Sequence, residues 1–312
     1  MIHNFLFHRV HPQRDRLWDP MSVEHFDKCI HFISKNYDVM LFEELAFFEY
    51  YRNSNKASHK RKIATIMFDD GYKDNIEYAA PILKKHNVKA SFYVVTECID
   101  KNIPTWTHRL EHLFQFTSKK SIDLNFDFLP QNIKVNTLNN YEERIKYVSI
   151  LKPFLKSISH KQRQTVLSRV IETYNDIQFP QLMMNWSDLQ KLKEEGHYVG
   201  SHTVTHCMLG TMDNENEIVF ELKQSGKRIE EQLGYFPLTI SYPVGSFNKR
   251  TKELAKEAGY KIGLAVKQNV HDRRKDDLFE VSRIELYNEP WWKTRLRITN
   301  TLENIKKFIR YK

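Results

Sequence analysis

The chain has 312 residues, of which 41% are hydrophobic and 13% aromatic, enough to bury a substantial core and to exclude a disordered protein, and the sequence carries no internal repeat. Its 48 basic and 39 acidic residues leave a formal charge of +9, which favours anionic partners such as phosphates, nucleic acid or an acidic membrane face without choosing among them; solvated surface lysines account for it equally well. Three cysteines without close spacing exclude a disulfide framework, and no run approaches the ~20 apolar residues of a spanning helix.

The N-terminus reads MIHNFLFHRVHPQRD and lacks the basic start and long apolar run of a signal peptide. The expectation is a cytoplasmic chain with reduced thiols. Strands are expected at 2–8, 38–42, 63–68, 88–96, 198–202, 238–242, 260–266 and 281–286. Helices are expected near 22–36, 43–52, 74–86, 142–175, 186–195, 214–233, 249–258 and 292–310. Ser22 suits an N-cap, and Gly196 and Gly259 suit C-terminal caps. This alternation predicts parallel strands with crossover helices. Its length suggests a distorted (β/α) barrel of seven or eight strands in one domain over 1–312, with an open doubly wound sheet as the alternative. Residues 99–183 break the rhythm and read as a large, partly helical insertion, either a substrate-binding cap or a structural decoration.

Two motifs carry chemistry. An apolar strand runs through Phe68 into Asp69, Asp70 and Gly71. Two carboxylates at a strand end are costly to bury unless they are paired or bind a metal, and Gly71 lets the chain bend so that both line one mouth. An Asp pair capping a helix is the plainer alternative. The second motif, Ser201 to His206, places His202 and His206 four residues apart after a strand-like run, on one helical or loop turn. Alone such a pair means little. Together, two imidazoles and one carboxylate give three ligands and leave a fourth position for water, the form of a catalytic zinc site, with the second carboxylate free to take a proton.

In combination and order these motifs resemble the polysaccharide deacetylases, the NodB-like group also called carbohydrate esterase family 4. The resemblance extends to Asn185-Trp186-Ser187-Asp188-Leu189, Glu195-Gly196-His197 and Ser241-Tyr242-Pro243-Val244-Gly245, and covers most of the chain outside the insertion. It implies a distorted (β/α) barrel and hydrolysis of an N-acetyl group from an amino sugar. It also implies that Asp69 is general base, that Asp70, His202 and His206 are metal ligands, and that the peptide N–H near Tyr242 helps to stabilise the oxyanion. Zn2+ is the default ion for such a donor set, with Co2+, Ni2+ or Fe2+ as alternatives.

Two departures stand out. Ser241 occupies the place of the family's arginine, and no late leucine–x–histidine motif is present, His271 lying in a charged stretch. Leu6-Phe7-His8-Arg9-Val10 resembles the first strand of a rearranged branch of the family, which implies His8 as general acid; a structural histidine is the alternative. Arg283 is expected to replace the missing arginine and orient Asp69, unless it is a surface or phosphate-binding residue. At the C-terminus, Ile298, Leu302, Ile305 and Ile309 form an apolar stripe beside Arg295, Arg297, Lys306, Lys307 and Arg310, which either closes the core or lies on an anionic membrane. The expected substrate is an N-acetylated sugar or glycan, phosphorylated or lipid-linked, used in surface polysaccharide or lipopolysaccharide synthesis. A deformylase and a non-catalytic glycan-binding relative are the alternatives. No nucleic-acid partner is expected, because the basic residues are spread along the chain.

Overall fold

The computed structural model describes residues 1–45, 61–175 and 177–303. Its strands are β1 (Ile2–Phe7), β2 (Tyr37–Val39), β3 (Lys62–Asp70), β4 (Ser91–Val94), β5 (Ser121–Asp123), β6 (Val135–Thr137), β7 (Tyr198–Ser201), β8 (Thr239–Ser241), β9 (Ile262–Leu264) and β10 (Ile284–Glu285). All but β5 and β6 form one parallel sheet, ordered β10-β1-β3-β4-β7-β8-β9, with β2 paired to β3. Helices cover its strands, so β1 is buried at every residue and β3 from Ala64 onward.

The long β3 organises one side. It pairs with β1 from Ile63 to Phe68, with β2 at Lys62 to Ala64 and with β4 at Met67 to Asp70. The other side closes through one short segment: Val281 bridges to Leu264 of β9, and three residues later Ile284 pairs with Phe5 of β1. This join makes the sheet a distorted barrel. Because the strands are parallel, the ends of β1, β3, β7 and β8 open at one face, bringing together His8, Asp69, Asp70, His202 and Ser241.

The local signals explain most elements. The Ser22 side chain accepts from His25 N–H and starts the helix Val23–Asn36, whose Phe26, Cys29, Ile30 and Ile33 face the core. The single helix expected at 142–175 is instead two, Tyr141–Ser157 and His160–Thr173; Ser159 forms a capping box with Gln162 and starts a new helix where periodicity alone read straight through. The helices Thr96–Lys101 and Trp106–Phe116 and the β5–β6 hairpin were not expected.

The segment between β4 and β7 builds its own apolar cluster around Trp106, Leu110, Phe114, Tyr147, Leu151 and Val166. It returns beside the metal motif, where Met184 N–H donates to the Gly71 carbonyl and Lys73 N–H to that of Leu182.

The C-terminal helix Trp291–Ile298 packs on Val23–Asn36: Ile298 is buried in the main core and its carbonyl accepts from Tyr37. Ile305, Lys306, Lys307, Ile309 and Arg310 lie outside the described residues, as does most of the expected 43–52 helix. Among the described residues no helix is long and apolar enough to cross a membrane.

Candidate metal centre

β3 delivers both carboxylates because its end is bent. Asp70 has φ 79° and Gly71 φ 90°, so the turn begins one residue before the glycine, at an aspartate, a residue type that tolerates the left-handed region. His202 and His206 likewise converge through a loop rather than a helix. Thr203 and His206 have φ 68° and 61°, the Thr203 hydroxyl accepts from His206 N–H, and Glu221 accepts from the N–H groups of Val204 and Thr205 and from the Thr205 hydroxyl. The indole N–H of Trp106 in turn donates to the His206 carbonyl at 3.1 Å.

Ligand atoms of Asp70, His202 and His206 lie within 4.8 Å of one another, all three residues being buried. Asp70 Oδ1 is 3.5 Å from His202 Nε2 and 3.3 Å from His206 Nε2, yet it makes no hydrogen bond. Two bonds of ~2.0–2.1 Å to a tetrahedral zinc separate their ligand atoms by about 3.4 Å. A buried, unbonded carboxylate oxygen at that spacing from two imidazole nitrogens therefore fits a divalent cation. His202 Nδ1–H donates to the Ser241 carbonyl at 2.8 Å, which leaves the Nε2 lone pair facing Asp70. Burial pushes His202 down to about 4, against the nearby Asp69, so it is uncharged near neutrality as a ligand must be.

Asp69 is held differently. Arg283, fully buried, donates to its two oxygens at 2.8 and 2.9 Å and to the Ser241 hydroxyl at 3.0 Å, and its Nε–H donates to the Ala265 carbonyl at 3.0 Å. Ser241 Oγ lies 3.1 Å from both Asp69 oxygens. Burial raises the Asp69 carboxyl, but the adjacent Arg283 charge and its hydrogen bonds outweigh it and the group sits below the ordinary carboxylate range. Asp70 is likewise held below that range, burial being outweighed by the adjacent His206.

His8 follows β1 and is partly exposed, with Nδ1 3.5 Å from Glu285 Oε1 and its ring edge-on to Trp18. A positive charge on His8 would act on both Asp69 and Asp70. The Tyr242 N–H is not free: it donates to the Leu264 carbonyl at 3.1 Å. Its side chain packs so closely on Gly263 that a Cβ there would sit 2.2 Å from the Tyr242 hydroxyl. Pro243 has no N–H, so the next backbone donor along the chain is the Val244 N–H, at φ 57°. His271 bonds through its backbone to Ile2, at the start of β1 and so at the opposite end of the barrel from His8.

The sequence reading missed Glu221 and Trp106. For Glu221 a signal exists: a charged residue lies within the buried stripe of Ile218, Leu222, Ser225 and Ile229 on the helix Glu215–Leu233.

A family model described as polysaccharide deacetylase matches residues 56–263. YxkH of Bacillus subtilis (strain 168) is 21% identical over 212 residues, covering 68% of this chain and 47% of that protein. The peptidoglycan-N-acetylglucosamine deacetylase PgdA of Listeria monocytogenes is 40% identical over 60 residues, 19% of this chain and 13% of that one. The chain thus matches about half the length, or less, of these curated relatives. Among solved structures, the Streptococcus pyogenes deacetylase PplD in complex with acetate superposes with a TM-score of 0.61 at 17% identity, covering 95% of this chain and 97% of that chain, a likeness of fold.

Proposed function

Because the chain belongs to the polysaccharide deacetylase family, we propose that it is a metal-dependent hydrolase that removes the acetyl group from the nitrogen of an amino sugar in a glycan. One observation carries this reading: Asp70, His202 and His206 converge beside an Asp69 clamped by Arg283. A divalent cation held by those three ligands, Zn2+ or else Co2+, Ni2+ or Fe2+, supplies Lewis acidity to the acetamide carbonyl.

The remaining work falls to the chain. Asp69, ionised and fixed by Arg283 and Ser241, accepts the proton of the attacking water on a remaining lone pair. The water oxygen bonds to the carbonyl carbon. The Val244 N–H, rather than that of Tyr242, donates to the developing oxyanion. His8, paired with Glu285, gives a proton to the amine as the carbon–nitrogen bond breaks, and its partial exposure allows it to be reprotonated. Acetate and a free amino sugar result.

The excess of positive charge supports a phosphorylated or lipid-linked N-acetyl sugar, handled in the cytoplasm or at the inner membrane face through the basic C-terminal segment, for surface polysaccharide or lipopolysaccharide synthesis. The test is acetate release from a panel of phosphorylated and unphosphorylated N-acetyl sugars and oligomers, with and without chelator. Chelator-sensitive acetate supports the reading. No acetate from any of them with zinc, cobalt or nickel supplied overturns it, and formate release from N-formyl sugars would move the activity to deformylation.

A further inference from the structure

A cavity of about 210 Å³ lies where the helices Trp106–Phe116 and His160–Thr173 meet the loop that carries His206. Trp106, Leu110, Leu167 and Ile171 give it an apolar floor, and Glu97, Gln164, Ser168 and Thr205 a polar side. None of the metal ligands lines it, nor do Asp69 or His8.

Arg109 also lines the cavity and is the member that needs explanation. Its Nε is sealed from solvent and meets no acceptor. Among the described residues its guanidinium makes no ion pair and no side-chain hydrogen bond; it lies only over the Phe179 ring, 5.9 Å from the centroid. Glu97, the one carboxylate in the lining, is paired with Lys101. Arg109 as a whole is only partly buried, so the terminal N–H groups of its guanidinium are available to an anion that enters the cavity.

We propose that this cavity is a second saccharide site, separate from the metal centre, that takes a pyranose bearing a carboxylate. The lining selects that chemistry. Arg109 offers the planar fork that matches a carboxylate, the apolar floor takes the C–H face of the ring, and Gln164, Ser168 and Thr205 meet its hydroxyls. An aliphatic acid would leave those polar groups unmatched, and inorganic phosphate would leave the floor bare. The occupant would lie against Trp106 and Thr205, the first bonded to the His206 carbonyl and the second adjacent to His206. A glycan strand held here is anchored at Thr205, one residue from His206.

The test is calorimetric binding of glucuronic acid and of glucose to the full chain, with metal present and again with chelator. Glucuronate should bind at least tenfold more tightly than glucose under both conditions. Arg109→Gln should erase the preference, Arg109→Lys keep part of it, and Ser168→Trp, at the open side, block both sugars. Equal binding of the two sugars by the unaltered chain overturns the proposal, as does a preference that survives Arg109→Gln. Binding that disappears with chelator also overturns it, since the carboxylate would then sit on the metal. If Arg109→Gln lowers the melting temperature, Ser168→Trp decides: a blocked cavity that still binds glucuronate refutes the site. Acetate is not measured, so a chain that binds glucuronate but deacetylates nothing would overturn the proposed activity and leave this site standing.

Discussion

Arg283 and Asp69 are 214 residues apart in sequence, yet one guanidinium spans both oxygens of the other's carboxylate at 2.8 and 2.9 Å. Both side chains are buried, so breaking the pair leaves an uncompensated charge in the barrel, which costs about 3–5 kcal/mol. Arg283→Met should therefore destabilise the fold by about that much in urea denaturation and lower kcat/KM by ~100-fold or more, as the base loses its orientation and its low pKa. Arg283→Lys should recover little of either, because an ammonium cannot span two oxygens. Near-normal acetate release by Arg283→Met would remove Asp69's orientation from the mechanism.

Asp69 and Asp70 are neighbours with different work, and metal content separates them. Asp69→Asn should abolish turnover while the isolated protein still carries about one equivalent of metal. Asp70→Ala or His206→Ala should lose the metal itself, since either removes one of three protein ligands. Elemental analysis of the three variants decides it, and a metal-free Asp69→Asn would reverse the roles.

Glu221 binds no metal in this scheme, yet it accepts three hydrogen bonds from the loop between the two histidines. Outer-shell groups of this kind typically change metal affinity by about 10–100-fold. Glu221→Ala should weaken zinc binding by that factor in a chelator competition, with the barrel still folded by circular dichroism.

His8 is assigned to the leaving group, so its loss should depend on what leaves. His8→Ala should lower kcat on an N-acetyl sugar by about 10²–10⁴-fold and spare hydrolysis of an activated acetate ester, whose departing phenolate needs no proton. An equal loss on both substrates would place His8 in positioning or folding instead.

Glu43 gives a pH test independent of the metal centre. It is buried and accepts from the hydroxyls of Ser91, Tyr93 and Thr239, each at 2.8 Å. Burial raises its carboxyl above the ordinary value, and the three hydroxyls only partly oppose this. A raised folded-state pKa means that protonation favours folding. The contribution is complete below the ordinary glutamate value and is lost as pH rises through the folded one. Relative to Glu43→Gln, the unaltered chain should therefore lose stability as pH rises above the ordinary glutamate value of about 4. A difference in unfolding free energy that stays flat with pH would refute the shift.

The sequence by itself determined the alternation of strands and helices, because period-two and period-3.6 patterns and caps such as Ser22 are local properties. It also marked Asp69, Asp70, His202 and His206, since in a parallel barrel residues that follow strands arrive at one face. The break at Ser159 went unread because an apolar stripe can continue in register across a new cap. What only the tertiary structure decided is which distant groups meet. Arg283, expected beside Asp69 only as a stand-in for the family's missing arginine, reaches it because the 281–285 segment joins β9 to β1. Tyr242 gives its N–H to Leu264 because β8 pairs with β9. Glu221 and Trp106 hold the histidine loop from two separate helices. Hydrogen bonds and ion pairs are directional and act over a few ångströms, so their partners are fixed by how the elements pack, and spacing along the chain carries no record of it.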